Sequence, residues 1–413
     1  MKSNRGKSTI RGVLILATAL SFAFMGTQCA KKPKPREVYK IGAIFASTGP
    51  ASMLGLPEKN TVEMLAEALN ADGGIKIRVQ ENGGWVDRSI PVEVIMYDTE
   101  ADPTKTVTAT KKLIESDQVD VIIGPTTSGT SLAIVDIVEE AKVPLISCAA
   151  SVKIVVPVKP YVFKTPQTDV MAVEKIYTKL KAAGIKKVAI LTVSNGFGDS
   201  GRVQLQNFSK AYGLSIVADE RYGGKDTDMS AQLTKIKGTD AEVIICWGTN
   251  PGPAVVAKNR KQLGITIPLY NSHGVASPKF IELAGAGAEG TYLPAGKLIV
   301  VDELMDSDPQ KAVLAKYKAE YEGRFGDGTV NTFGGHAYDA FMIAVMAIEN
   351  ATKMGDREAG MVSRDTIRDE IEKITNFVGT GGVFNFSASD HNGLTKDGFV
   401  MVEISGGDWK LAE

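Results

Sequence analysis

The sequence predicts an α/β protein of two doubly wound parallel-sheet lobes. Two observations lead there: from Tyr39 onward short apolar runs alternate with longer helical patterns, and the alternation runs through two separate series. Strand–helix–strand order of this length returns each strand parallel to the last, with helices covering both faces. In the first series, residues 39–45 read as a strand. The next helix, 57–70, opens at Pro57 and closes before Asp72-Gly73-Gly74. A strand follows at 92–98, then a helix at 103–116 with Val107, Leu113 and Ile114 on one face. Strand 119–123, a helix to Lys142 and strand 144–147 complete the series. The second begins after 161–164, with strands at 187–193, 214–222, 243–247 and 268–271. Its helices include 198–212, 229–237 and 251–263. After Ala295 the pattern changes to three helical stretches, 309–325, 333–353 and 363–374. The chain then reads as a hairpin, 383–386 and 398–404, joined around Asp390-His391-Asn392-Gly393.

At roughly 100–200 residues per domain, 413 residues hold two or three domains. Hydrophobic residues at 44% and charged residues at 23% are ordinary for a globular chain with sizeable cores. Lys+Arg 47 against Asp+Glu 48, with no basic run after residue 37, excludes a phosphate-neutralising nucleic-acid surface. Cys29, Cys148 and Cys246 lie too far apart for zinc-ligand spacing, so neither a zinc fold nor a disulfide scaffold is expected.

The first residues read as an export signal. Lys2, Arg5, Lys7 and Arg11 precede an apolar run at 13–25, which is shorter than the roughly 20 residues of a spanning helix. A signal peptide over 1–28 is expected, and its removal takes the formal charge from −1 to −5. Cys29 with the extended tether 29–37 resembles the acylated start of a bacterial lipoprotein, although Gln28 stands where Gly, Ala or Ser is usual. The alternative is soluble release into the periplasm, with Cys29 discarded.

Gly198-Asp199-Ser200-Gly201 spells a trypsin-like nucleophile string, but it sits at a strand–helix junction with every His downstream. Asp199 is expected there as a helix N-cap and the glycines as turn residues. Asp390 to Gly393 lacks the bidentate acid of a calcium loop and reads as a turn. More informative is Gly124-Pro125-Thr126-Thr127-Ser128-Gly129-Thr130, which joins strand 119–123 to a helix. Hydroxyls and free N–H groups outside the carboxyl end of a parallel strand suit an anion. The next strand ends similarly in Ser147-Cys148-Ala149-Ala150-Ser151. Ser and Thr in such places serve equally as ordinary caps.

Taken in order, IGAIFASTGPAS from residue 41, DGGI at 72–75, YDTEADP at 97–103 and VDVIIGPTTSGTS at 119–131 resemble one family. PLISCAAS at 144–151, VSNGFGDSG at 193–201, TDMSAQLTKIK at 227–237, HGVASPKFIELAG from His273 and HAYDAF at 336–341 continue the match. The chain resembles the periplasmic leucine/isoleucine/valine-type solute-binding proteins of ABC importers, with the type I periplasmic binding fold.

That resemblance implies two lobes joined by a three-strand hinge, with the ligand in the cleft between them. Lobe one would be 37–163 with 297–379, and lobe two 164–296 with 380–413. The ligand carboxylate would meet Ser128 and Ser151, with Thr126, Thr127 and Ala149 alongside. Phe197 and Phe333 would close over the ligand from the two lobes. Leu54 and Thr249 replace tyrosines of the branched-chain binders, and Trp247 lies close by in sequence. His273 falls where the family's ammonium-pairing acid belongs, and an imidazolium would repel an ammonium. A loop disulfide of the family's first lobe has no counterpart, because Cys148 is that lobe's single Cys.

The implied role is non-enzymatic capture of a small amino acid of branched-chain or hydrophobic type, for delivery to an inner-membrane ABC permease. The alternative keeps the role but replaces the ligand with an aromatic or short organic acid. A ligand-sensing module is the other use of the fold. No cofactor, metal or nucleic-acid partner is expected, and the protein is expected to be a monomer. Its expected location is the periplasm or cell envelope, on the membrane only through a lipid on Cys29.

Overall fold

Strand β1 (Tyr39–Phe45) is buried along its length apart from Lys40, as a strand flanked on both edges and both faces must be. It belongs to a computed structural model that describes residues 36–81, 84–353 and 361–412. The signal peptide expected over 1–28, Cys29 and the tether up to Pro35 lie outside the described residues.

The chain continues through α1 (Ser52–Ala71), β2 (Ile75–Glu81), β3 (Gly84–Ile90), β4 (Val92–Asp98) and α2 (Pro103–Glu115). Next come β5 (Val121–Ile123), α3 (Ser128–Glu140), β6 (Leu145–Ser147) and β7 (Val162–Lys164). The order β4-β1-β5-β6-β7 forms a wholly parallel sheet, with Tyr39 opposite Val92 and Ile41 opposite Val121. Alternation sends Ile41, Ala43 and Phe45 to one face, whereas Ile44 and Ile122 pack with Leu113 and Ile134 on the other.

The second series is α4 (Asp169–Ala182), β8 (Lys187–Val193), α5 (Gly196–Ser209), β9 (Ser215–Tyr222), α6 (Ser230–Lys237) and β10 (Val243–Trp247). It continues with α7 (Gly252–Gln262), β11 (Leu269–Asn271), α8 (Pro278–Ala284) and β12 (Tyr292–Gly296). Val188 and Ile190 face α4 and α5, and Ala189 and Leu191 face α6 and α7, so both sheets are doubly wound.

Helices α9 (Lys311–Phe325), α10 (Thr332–Lys353) and α11 (Arg364–Glu372) follow. They pack back onto the first sheet's α1 side: Tyr317 meets Met64 and Tyr338, and Phe341 and Ile371 join the core of Phe45 and Val62. Four short strands end the chain, β13 (Phe377–Val378), β14 (Val383–Phe384), β15 (Phe399–Ser405) and β16 (Asp408–Leu411).

Four expectations need correction. The hairpin of 383–386 with 398–404 does not form. β14 pairs with β13 and Phe384 enters the first core, while β15 runs antiparallel to β12 and β16. The second sheet, β16-β15-β12-β11-β10-β8-β9, is therefore mixed at one edge. Helix α1 starts before Pro57, because the Ala51 carbonyl already accepts Leu54 and Gly55 N–H groups at 2.9 and 3.0 Å. Pro57 then withholds one N–H from the second turn. Asn195 rather than Asp199 caps α5, its Oδ1 accepting the Phe197 and Gly198 N–H groups, both at 3.0 Å. Asp199 pairs instead with Arg221. Finally, β2 and β3 form an antiparallel hairpin, Ile75 opposite Ile90, that the strand–helix reading passed over.

Backbone crosses between the sheets after β7, after β12 and between Leu394 and β15, and buried amides brace these passages. Gln167 donates to the Gly381 and Gly398 carbonyls at 2.6 and 3.0 Å, and Gln310 to those of Gly379 and Thr380 at 3.0 and 3.1 Å. Phe384, Phe386 and Leu394 still lie in the first core, so the third crossing comes after them.

Candidate ligand-binding cleft

A cleft of about 440 Å³ opens outside the carboxyl ends of both sheets. Each strand there turns directly into a helix, so the starts of α1, α2, α3, α5 and α7 all reach its wall. Helix N-termini carry partial positive charge and N–H groups without intrahelical partners, so they bring positive potential and free donors to the cavity wall.

On the first-sheet side, Thr127 caps α3 by accepting the Thr130 N–H at 3.4 Å. Ser128 opens the helix, and its Oγ accepts the Ser151 N–H at 3.2 Å. The Ser128 hydroxyl proton stays available to a bound oxyanion. Thr126 is committed otherwise: its Oγ1 accepts the Ala46 N–H at 3.0 Å and donates to buried Glu58. Burial pushes the Glu58 carboxyl well above the usual range, against the pull of that bond. Ala149 gives its N–H to Ser147 at 3.1 Å.

On the second-sheet side, Phe197 follows the Asn195 cap and packs on Trp247 at 5.7 Å between ring centres. Trp247 is fully buried and fills the space where a Cβ on Gly201 would sit. It therefore supports the wall rather than touching the cavity. His273 follows β11, with Ser272 accepting the Gly274 N–H at 3.3 Å. Its ring stands between Phe197, Trp247 and Phe399, with ring centres 5.3 to 5.9 Å away. Burial, then the charges of Lys164 and His336, lowers its pKa to about 3, so the imidazole is neutral at physiological pH. His336, on α10, is lowered to about 3 by burial and by Lys164.

Nine of the ten expected ligand residues line this cavity: Leu54, Thr126, Thr127, Ser128, Ala149, Phe197, Thr249, His273 and Phe333. Ser151 lies outside the lining and is fully buried. Its Oγ accepts the Lys153 N–H at 3.2 Å and meets Ser200 Oγ at 2.7 Å, while Ser200 donates to Asp169. The Ser151 proton thus goes to Ser200, and none remains for an anion. The same relay gives the Ser200 of the GDSG string a structural task with no histidine among its partners.

Asn195, Asn250 and His336 also line the cleft. Their signals were present in sequence, as polar residues at helix starts and in HAYDAF. Among the described lining residues Glu100 is the single acid; its side chain is 47% exposed and pairs with Lys105 at 2.5 Å. Cys148 and Cys246 are free and buried. No cluster able to hold a metal occurs among the described residues, and none of their helices is long and apolar enough to cross a membrane.

A family model described as "Periplasmic binding protein" matches residues 38–408. "Leu/Ile/Val-binding protein homolog 7" of Brucella suis is 23% identical over 374 residues, covering 86% of each chain. "Glutamate receptor 2.2" of Arabidopsis thaliana is 25% identical over 260 residues, where the match spans 62% of this chain and 27% of that protein. The crystal structure of an extracellular ligand-binding receptor from Rhodopseudomonas palustris superposes with a TM-score of 0.80 at 28% identity, covering 91% of this chain and 99% of that one. The branched-chain amino acid transporter substrate-binding protein of Streptococcus pneumoniae, solved with isoleucine, gives 0.76 at 25% identity, covering 91% and 99%.

Proposed function

Because this chain belongs to the periplasmic binding protein family, we propose that it is the extracytoplasmic solute-binding component of an ABC importer. It captures a small carboxylate-bearing solute between its lobes and hands it to an inner-membrane permease, without turnover and as a monomer. The observation that carries this reading is the convergence of helix N-termini on one cleft, with the Ser128 hydroxyl proton unspent inside it. Hydrogen bonds to a charged group contribute about 1.5–3 kcal/mol each, and micromolar affinity needs about 8 kcal/mol. Three or four such bonds with burial of an apolar body suffice after the cost of closure. Closure is what a permease can read, so the solute must favour the closed form.

The lobes are taken as 37–163 with 297–379, and 164–296 with 380–413, except that Phe384, Phe386 and Leu394 pack into the first core. Cys29 is taken as the lipid anchor, which detergent partitioning of wild type against Cys29→Ser tests. A second reading of the solute, an aliphatic amino acid of branched-chain type, is favoured by the isoleucine in the Streptococcus pneumoniae relative. Native mass spectrometry of the purified protein tests the whole proposal. A carboxylate-bearing molecule of fitting size should co-purify and be lost in Ser128→Ala; a nucleotide or an uncharged sugar in its place would refute it.

A further inference from the structure

The second-sheet side of the cleft keeps polar atoms that nothing among the described residues satisfies. His273 is 6% exposed, and neither of its ring nitrogens has a hydrogen-bond partner among the described residues. Asn250 Oδ1, on the same side, and His336 Nδ1, from α10, are also buried and unpartnered. Leaving such atoms unpaired costs free energy, and these four, on three residues of one cavity, point to a ligand that completes them. All four belong to neutral groups. A neutral imidazole offers one donor and one acceptor, and an amide oxygen offers an acceptor. A hydroxyl, which both donates and accepts, matches that set.

Charged ends match it poorly. An ammonium would meet no carboxylate, since Glu100 is half exposed and already paired with Lys105. A second carboxylate would meet only exposed Lys225 at the rim. Much of the cavity wall is apolar, with Leu54, Phe197 and Phe333 among its lining. The three rings around His273 keep the imidazole from swinging away.

We propose that His273 is the specificity-determining residue of this cleft, selecting a monocarboxylic acid whose apolar body ends in a neutral hydroxyl over a zwitterionic amino acid. The proposal rests on the carboxylate reading of the α3 side.

The experiment is isothermal titration of the mature protein, stripped of endogenous ligand, with three probes: 4-hydroxybenzoate, benzoate and leucine. Wild type should prefer 4-hydroxybenzoate to benzoate by about tenfold, the worth of one buried hydrogen bond, and give no saturable heat with leucine. His273→Phe, which keeps a ring among rings, should abolish the hydroxyl preference, so that it binds 4-hydroxybenzoate and benzoate alike. His273→Gln, still neutral and polar, should retain the preference and guards against a folding defect in the first variant. A hydroxyl preference that survives in His273→Phe, or leucine binding as tightly as 4-hydroxybenzoate, overturns the proposal. Should benzoate bind through Ser128 without hydroxyl discrimination, the His273 assignment alone falls. Should no acid bind, or Ser128→Ala bind benzoate as wild type does, the carboxylate reading falls and takes this proposal with it.

Discussion

Gly196, at the start of α5, lies directly against Gly129, at the start of α3: a Cβ on Gly196 would stand 2.9 Å from the Gly129 Cα and 3.0 Å from its nitrogen. Real Cβ atoms do not approach backbone so closely, so the two sides of the cleft meet where neither residue has a side chain. The expected outcome for Gly196→Ala is a weaker complex, since closure must halt short or displace α3. Affinity for the co-purified ligand should fall by about tenfold, while the melting temperature of the ligand-free protein stays within the scatter of a neutral surface change. Titration calorimetry beside a thermal melt reads both quantities, and unchanged affinity would mean that the contact plays no part in binding.

Ser128 and Ser151 should part company. Ser128→Ala removes a proton donor from the cavity and should cost about 1.5–3 kcal/mol of binding. Ser151→Ala removes a donor whose proton already goes to Ser200, so affinity should change little. Equal losses in the two variants would restore Ser151 to the carboxylate site.

Thr126→Val should act on the fold instead of the ligand. The methyl replaces a hydroxyl that serves the Ala46 N–H and buried Glu58, and two unpaired buried groups cost about 1–3 kcal/mol each. Denaturant unfolding should show that loss of stability. Ligand affinity measured at a temperature where the variant is folded should be near wild type.

Acid should weaken the protein through His273. Its pKa is about 3 in the fold against an ordinary 6.5, so between those values the unfolded chain binds a proton that the folded chain refuses. The neutral ring's contribution is full above pH 6.5 and is lost progressively as pH falls toward 3. Melting curves of wild type against His273→Phe from pH 7 to pH 4 should therefore diverge, with wild type losing more. A constant difference would show that the imidazole is not buried neutral.

The strand–helix alternation was legible because most strands of the two parallel runs are apolar segments closed by turn residues; β9, with Asp219, Glu220 and Arg221, is the edge-strand exception. What sequence leaves out is who pairs with whom. The strand at 383–384 looked like half of a hairpin with β15, yet its partner is β13, a two-residue strand too short to carry a period. Ser151 looked equivalent to Ser128 because both end buried strands; the difference is Ser200, far along the chain and visible only when the lobes are folded together. His336 stood inside a recognised motif on a helix with buried residues all along it, and nothing in its spacing marks which turn reaches the cavity. His273 stood out for a chemical reason, a base where an acid was expected, and that kind of signal survives without coordinates.

Helix α10 has a mechanical consequence. Phe333 and His336 in its first turns touch the cavity. The His336 carbonyl accepts the Thr165 hydroxyl at 2.9 Å, and Asp339 accepts the Thr380 and Gly381 N–H groups at 2.6 and 2.7 Å. The helix is thus fastened to the first chain crossing and to the Thr380 turn, while its first turns line the cavity. A solute pressing on Phe333 would pass its load to those fastenings, which places the helix as a lever arm between the cavity and the first crossing.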